Sequence, residues 1–305
     1  MGTPEFAVPS LSAVAAAGHD VVLVVTQPDR PKGRGKKLAP PAVKECAEKL
    51  GLPVFQPEKV RTPEAVERIA QAGPDAIVVA AFGQILPKSI LSIPKYGCFN
   101  VHASLLPAYR GAAPINWAII NGEKMSGITI MQMDEGLDTG AMLIKKPEQV
   151  RPADTAATLT ARLAALGSQL ILAALKDAEA GRLNPQPQDN AKSSYAPMLK
   201  KETGRIDWGR SALELERLVR GLDPWPGAFA VREGQTLKIW GAKAIAGTPP
   251  GRPGMVADVA KDGVYIETGD GLLAITEVQS EGGRRMPFIQ FLSGHRFQKG
   301  ERFGN

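Results

Sequence analysis

Short, continuously apolar runs alternate with helical patterns through the first 182 residues. Val21–Thr26 and Ala76–Phe82 are the clearest runs, and strands buried on both faces of a parallel sheet have this composition. Between them, Thr62 followed by Pro63 marks a helix start and Gly73 its end. A leucine stripe from Leu159 to Leu175 predicts a long core helix. We therefore predict an α/β domain over residues 1–182, with a doubly wound, Rossmann-like fold.

The pattern changes beyond residue 182. Residues 183–203 are rich in proline and polar side chains, which is typical of a linker. Ser211-Ala-Leu-Glu214 is a capping box that predicts one short helix. Short apolar strands then alternate with Gly-rich turns, over residues 228–232, 237–240, 255–260, 264–268 and 272–278. This spacing predicts a second domain over residues 204–305, a small OB-like β-barrel.

The beginning of the chain is unusual for an α/β domain. Thr3 and Pro4 predict a helix that starts almost at once, and the first strand follows it. We expect that the first strand of the sheet, which would lie inside it, is missing. Its absence would leave backbone groups of the neighbouring strands unpaired and would lower stability or solubility.

Composition narrows the class of protein. The chain has 305 residues, enough for two domains, and an ordinary share of apolar and charged residues. Its two cysteines and three histidines are scattered, which argues against a disulfide framework and a metal site. The apolar runs are too short to span a bilayer and no leader pattern is visible. We expect a cytoplasmic protein, with no membrane partner and no metal, that works as a monomer.

One stretch concentrates positive charge. Net charge is +6, and between Gln27 and Leu38 five basic residues stand among two prolines and two glycines: Arg30, Lys32, Arg34, Lys36 and Lys37. The composition predicts an irregular loop. It is either a solvated loop tip or a contact for a polyanion such as nucleic acid, because five like charges repel one another otherwise.

Candidate chemistry centres on Asn100 and His102. They are two residues apart in an apolar run, so both side chains point to one face of a strand. An amide can donate to an oxyanion, and an imidazole can move a proton near neutral pH. Asp138, in a Gly-rich acidic loop, could orient the imidazole, although it could also only cap its loop. No nucleophilic elbow is present, which favours direct transfer to an external nucleophile.

The run Asn100-Val-His102-Ala-Ser104-Leu-Leu-Pro107, with the later Asp138-Thr-Gly140, resembles the folate-dependent formyltransferases. Further segments are similar to one branch, the methionyl-tRNA formyltransferases. These are Gly2-Thr-Pro-Glu-Phe-Ala7, Gln27-Pro-Asp-Arg-Pro31 with Gly33-Arg-Gly-Lys-Lys37, Arg110-Gly-Ala-Ala-Pro-Ile115, Ile130-Met-Gln-Met-Asp134, Arg205-Ile-Asp-Trp208 and Pro224-Trp-Pro226. The resemblance covers nearly the whole chain.

The resemblance implies an activity and its site. A formyl group would pass from 10-formyltetrahydrofolate to the α-amino group of methionyl initiator tRNA, for bacterial translation initiation, and leave tetrahydrofolate. Asn100, His102 and Asp138 would be catalytic. Ser104, Leu105, Leu106 and Pro107 would contact the folate. The basic stretch, above all Arg34, would contact the acceptor stem of the tRNA.

Two alternatives remain open. A formyltransferase or formyl hydrolase for a small acceptor explains Asn100, His102 and Asp138 equally well, but not the basic stretch. A non-enzymatic nucleic-acid-binding protein explains the charge, but leaves the Asn/His pair without a purpose.

Overall fold

The computed structural model describes residues 1–32, 37–247 and 251–304. Its helices are α1 Val8–Ala16, α2 Ala42–Lys49, α3 Pro63–Gln71, α4 Lys88–Leu91, α5 Pro114–Ile120, α6 Ala156–Glu179, α7 Ala212–Gly221 and α8 Phe288–Leu292. The first nine strands are β1 Val24–Val25, β2 Arg30–Lys32, β3 Lys37–Ala39, β4 Val54–Phe55, β5 Ile77–Val79, β6 Cys98–His102, β7 Arg110–Gly111, β8 Met125–Gln132 and β9 Met142–Gln149. The others are β10 Tyr195–Ala196, β11 Ala228–Arg232, β12 Gln235–Ile245, β13 Val256–Ala260, β14 Gly263–Glu267, β15 Leu272–Ser280 and β16 Met286–Pro287.

These elements form two compact units. Unit 1 comprises residues 1–114, 125–149 and 160–196, and unit 2 comprises residues 115–124, 150–159 and 197–305. Strands pair within each unit, and each unit has its own set of buried apolar side chains. Unit 1 therefore includes much of the segment that the sequence suggests is a linker.

Unit 1 has the predicted α/β character, but its sheet is mixed. The strand order is β5-β6-β8-β9, with β5 and β6 parallel and β8 antiparallel to both of its neighbours. Apolar runs do not encode strand direction. The short loop 133–141 can join β8 to β9 only as antiparallel neighbours, because a parallel return needs a longer crossover.

The helix α6 is long and apolar enough to cross a membrane by length and composition alone. Its leucines Leu159 and Leu163 are fully buried in the fold, as expected for a core helix. At Gly167 a Cβ atom would lie 2.6 Å from Cγ1 of Val101 on β6. The small residue thus lets the helix approach the strand that carries Asn100 and His102.

The beginning of the chain differs from the prediction. Thr3 does not cap a helix, because the first helical turn, Glu5–Ala7, has Pro4 at its N-cap. The Thr3 hydroxyl donates instead to the carbonyl of Phe82 at 2.9 Å. Gly2 N donates to Val25 O, and Ala80 N donates to Met1 O, both at 3.0 Å. Met1 and Gly2 thereby occupy a strand position between β1 and β5, where the sequence suggested unpaired backbone groups. The lowered stability stays a prediction.

Unit 2 contains the predicted β-rich part. Its strands follow the order β11-β12-β15-β14-β13, with all pairs antiparallel and β16 added to β15. No closing pair joins β11 directly to β13 among the described residues, so a closed barrel is not established. The C-terminal tail, residues 301–304, instead bonds to both edge strands, β11 and β13. Gly304 N donates to Val231 O, and Val256 N donates to Glu301 O, each at 2.8 Å.

The capping box at α7 is confirmed and gives a stability prediction. Ser211 Oγ accepts from Glu214 N at 3.3 Å and donates to the Glu214 carboxylate at 2.7 Å. The bonds that the hydroxyl and the main-chain N–H of Ser211 donate to this carboxylate, with help from Arg210, lower the pKa of Glu214 from 4.5 to about 2. Ser211→Ala should therefore lower the free energy of unfolding by about 1 kcal/mol at neutral pH, measured by urea denaturation.

The pH dependence of this difference has a definite sign. A carboxylate with a lowered pKa contributes stability above its ordinary pKa, and the contribution is lost as the pH falls. The gap between wild type and Ser211→Ala should thus shrink as the pH falls from 4.5 towards 2. Ser211→Thr, which keeps the hydroxyl, is the control. Equal stability of Ser211→Ala and wild type at pH 7 would contradict the assignment.

Candidate functional site

The strand β6 places Asn100 and His102 on one face, as predicted. Asn100 lies opposite Met131 of β8, and His102 lies opposite Thr129. Because β8 runs antiparallel to β6, the loop that follows β8 begins beside Cys98, at the start of β6. That loop, residues 133–141, carries Asp138. The strand order brings this loop next to β6, and the contacts of the Asp138 carboxylate place it at the two β6 side chains.

The three predicted side chains meet around the Asp138 carboxylate. Asn100 Nδ2 donates to Asp138 Oδ1 at 3.3 Å, and His102 Nδ1 lies 3.6 Å from Asp138 Oδ2. The main-chain N–H of Gly111 also donates to Oδ2, at 2.8 Å. The side chains of His102 and Asp138 are only 5% and 12% exposed. Little water therefore screens the interactions among these groups.

Both ring nitrogens of His102 face oxygen atoms. Nδ1 faces the Asp138 carboxylate, and Nε2 lies 3.0 Å from the carbonyl oxygen of Tyr109. A doubly protonated ring can donate to both oxygens at once, whereas a neutral ring has one proton for the two. Donation from Nε2 to a substrate oxygen therefore requires that this nitrogen leave the carbonyl of Tyr109.

Unusual backbone conformations surround this cluster. Asp138 and Tyr109 have φ values of +53° and +60°, in the left-handed region that residues with a side chain seldom adopt. Such conformations tend to gather at functional sites. At Tyr109 the conformation accompanies the carbonyl that faces His102. At Asp138 it accompanies a carboxylate with three neighbouring donors.

Position 111 requires glycine because β7 passes close to β10 there. Its φ is +111°, and a Cβ atom there would lie 2.6 Å from the Tyr195 ring and 2.7 Å from the carbonyl oxygen of Ala196. Any side chain at this position would push β7 away from β10. The N–H that Gly111 donates to Asp138 would move with it.

The predicted folate-contacting turn directly follows β6. Ser104 Oγ donates to Ala108 O at 2.6 Å, which closes the turn, and the Leu106–Pro107 peptide bond is cis. Buried Thr129 accepts from Leu106 N at 3.1 Å and donates to Ser104 O at 2.7 Å. Leu106 is buried, whereas Leu105 and Pro107 are partly exposed. The turn is thus held firmly beside His102.

The basic stretch is only partly described. Arg34 and Lys36 lie outside the described residues, and so do the side chains of Lys32 and Lys37. The predicted irregular loop is wrong for its flanks, since β2 and β3 pair as antiparallel strands. Proline does not prevent this, because an outward-facing edge position needs no N–H donor. The Arg30 side chain is 62% exposed and pairs with Glu58 at 3.1 Å.

Two other features lie apart from this chemistry. A cavity of about 530 Å³ is lined by apolar residues of β1, β5 and α6, and none of Asn100, His102 and Asp138 lines it. Cys98 begins β6, and burial raises the pKa of its thiol to about 12. It therefore remains a protonated thiol. In the part of the chain that the structure describes, no three His, Cys, Asp or Glu side chains group as metal ligands.

Sequence reasoning missed several partners of the cluster. The N–H of Gly111, the carbonyl of Tyr109 and the amide of Gln188 all contact its members. Two of these are main-chain groups, which residue type does not reveal. Gln188 lies in the segment that seemed to be a linker, and only its proline-bounded position, Pro185-Gln-Pro187-Gln188, hints at an ordered structure.

Comparison with known proteins adds independent findings. Residues 1–175 match the formyl transferase family, and residues 198–296 match the formyl transferase C-terminal domain. A methionyl-tRNA formyltransferase of Geobacter metallireducens is 52% identical over 305 residues, covering all of this chain and 97% of that protein. The corresponding protein of Geobacter sulfurreducens is 51% identical over 304 residues, covering all of this chain and 95% of its own.

A solved structure shares the fold. WlaRD, a sugar 3N-formyl transferase studied in the presence of dTDP and 5-N-formyl-THF, superposes with a TM-score of 0.66. It is 20% identical, and the match covers 92% of this chain and 95% of that one. The chain therefore belongs to the formyl transferase family. Within that family it groups with the methionyl-tRNA formyltransferases.

Proposed function

We propose that this chain transfers the formyl group of 10-formyltetrahydrofolate to the α-amino group of methionyl initiator tRNA, giving formylmethionyl-tRNA and tetrahydrofolate. The observation that carries the proposal is the meeting of Asn100, His102 and Asp138, an amide, an imidazole and a carboxylate from two segments. Relatives about 50% identical over the full length, named methionyl-tRNA formyltransferases, support the acceptor.

The three side chains divide the work of the transfer. The amine nitrogen attacks the formyl carbon, and the carbonyl oxygen gains negative charge. Asn100 and His102 donate to that oxygen, which is where preorganised donors lower a barrier most. Asp138 holds His102 through Nδ1 and collects the proton that the amine loses, directly or through water. The bond between the formyl carbon and folate N10 then breaks, and N10 receives a proton.

A strong base is not required for this reaction. A free α-amino group has a pKa near 8, so a useful neutral fraction exists at pH 7. The barrier then lies mainly in the charge on the formyl oxygen. This division explains why the cluster presents two donors and only one carboxylate.

The Ser104–Pro107 turn is the proposed folate contact. Main-chain bonds to Thr129 fix it next to His102, and Lys145 Nζ donates to Leu106 O at 3.2 Å. A turn whose main chain is fixed by these hydrogen bonds can pack against a flat ring system without rearranging. It would place the donor's formyl group beside Asn100 and His102.

The tRNA contacts are proposed to be the basic stretch and unit 2. Arg30, Lys32, Arg34, Lys36 and Lys37 would meet phosphates of the acceptor stem. The catalytic domain is proposed to span residues 1–182 and the tRNA-binding domain residues 204–305. The proposed linker between them, residues 183–203, packs on the catalytic domain up to residue 196. The tail that bonds to both β11 and β13 supports an OB-like barrel there. The protein is proposed to act as a cytoplasmic monomer.

A comparison of acceptors in parallel assays tests the proposed function. The wild-type protein is given labelled 10-formyltetrahydrofolate with charged initiator tRNA, and in parallel with an amino-sugar nucleotide or glycinamide ribonucleotide. We expect the label on the methionyl amine of the tRNA and none on the small amines. Transfer to a small amine alone would overturn the proposal, and so would RNA binding without any transfer.

A further inference from the structure

Gln188 lies against the main chain of the loop that carries Asp138. Its Nε2 donates to Asp138 O and to Gly140 O, both at 2.8 Å. Its Oε1 accepts from Arg110 Nε at 3.0 Å and from Arg110 Nη2 at 2.8 Å. Both N–H groups and both lone pairs of the amide are thus in use. The orientation is fixed as well, since a flipped amide would turn its NH₂ towards the guanidinium.

The segment that contains Gln188 also contacts β7, whose Gly111 belongs to the cluster around Asp138. Tyr195 and Ala196, on β10, pair with Arg110 and Gly111 on β7. Arg110 Nη2 reaches Asn190 Oδ1 at 2.8 Å. Residues 188–196 therefore contact both the loop at Asp138 and the strand whose Gly111 N–H donates to the Asp138 carboxylate. All of these residues belong to unit 1.

We propose that Gln188, oriented by Arg110, is a positioning residue that holds the Asp138 carboxylate against Asn100, His102 and Gly111. Asp138 has a left-handed backbone conformation, at φ +53°, which an isolated chain would leave for a more relaxed one. The two bonds from Gln188 hold the carbonyls of Asp138 and Gly140, on the C-terminal side of that residue, and retain the conformation. This inference rests on the proposed formyl transfer, because it assigns Gln188 a role through Asp138.

Two substitutions separate this role from simple packing. Gln188→Glu keeps an acceptor for Arg110 but turns a carboxylate oxygen towards the carbonyls of Asp138 and Gly140. These two carbonyls therefore lose the hydrogen bonds that they accept from Gln188. Gln188→Met keeps the approximate shape and loses every polar contact. Gln186→Glu, on an exposed side chain of the same segment, is the matched control for the added charge. All three are tested in the full-length protein.

We expect both Gln188 variants to lower kcat about 10- to 100-fold, the usual cost of misplacing a reacting group. KM for 10-formyltetrahydrofolate and for charged tRNA should stay within about twofold, and Gln186→Glu should match wild type. The amide hydrogen of Gly111, followed by NMR, should also exchange faster in the Gln188 variants. Thermal unfolding identifies a variant that fails to fold, and the other variant then decides.

Several outcomes would overturn the proposal. Gln188→Glu with the kcat of wild type would show that contact with Arg110 suffices. Equal rises in KM, with kcat unchanged, would make Gln188 a binding residue instead. Unchanged exchange at Gly111 would remove the link to Asp138. These results differ from failure of the proposed function, in which the wild-type protein itself would not formylate charged tRNA.

Discussion

Replacing His102 with alanine should lower kcat for formyl transfer about 10³-fold and leave the affinity for charged initiator tRNA unchanged. The imidazole is 5% exposed, and Asp138 faces its Nδ1. Its Nε2, which faces the carbonyl of Tyr109, is the atom that would donate to the formyl oxygen. Loss of one preorganised donor in a site of this kind costs about 10²- to 10³-fold.

Kinetics and binding must be measured on the same preparation. Initial rates at saturating donor and acceptor give kcat, and filter binding of charged tRNA gives the affinity. Replacement of His19, which lies on an exposed stretch away from the site, is the control for loss of a histidine. If His102→Ala lost tRNA affinity and no protein form ever transferred formyl, the non-enzymatic RNA-binding alternative would be correct.

Substitution of Asn100 should have the second-largest effect. Its amide donates to Asp138 at 3.3 Å and has a second N–H for the formyl oxygen. Asn100→Ala should lower kcat about 10²- to 10³-fold. Asn100→Asp should be at least as damaging, because it replaces the donor by a carboxylate beside Asp138. Steady-state kinetics with both variants check this order.

The relative activity of Asn100→Ala and Asn100→Asp shows whether position 100 needs a hydrogen-bond donor or only a side chain of that size. An Asn100→Asp protein more active than Asn100→Ala would mean that the position needs size rather than a donor. That result would remove Asn100 from the proposed oxyanion site. Urea denaturation of each variant should accompany the kinetics, so that a loss of folded protein is not counted as a loss of catalysis.

The sequence predicted the cluster better than it predicted the sheet around it. Asn100 and His102 could be placed on one face because strand alternation follows from sequence spacing alone. Their approach to Asp138 depends on β8 running antiparallel to β6, and apolar runs carry no direction. Only the resemblance to formyltransferases joined the three residues before the fold was known.

Segment 183–196 shows a second limit of sequence reasoning. Prolines and polar residues there suggested a linker, yet Gln186 pairs with Met142, and β10 pairs with β7. These contacts use main-chain groups and amide side chains, which leave no apolar pattern. Conversely, the N-cap at Thr62 and the capping box at Ser211 were predictable from the sequence, because capping depends on residues at most three positions apart. Local rules were sufficient there, and long-range pairing was not predictable.

The central claim is that Asn100 and His102 act together on one formyl oxygen. Single-turnover formylation of charged initiator tRNA, with both substrates saturating, measures that step in wild type, Asn100→Ala, His102→Ala and the double variant. Because both side chains serve the same oxygen, the double variant should be slower than either single variant but clearly faster than the product of their effects predicts. A double variant whose loss of rate equals the product of the two single losses would contradict the account, and so would rate constants equal to that of wild type in all three variants.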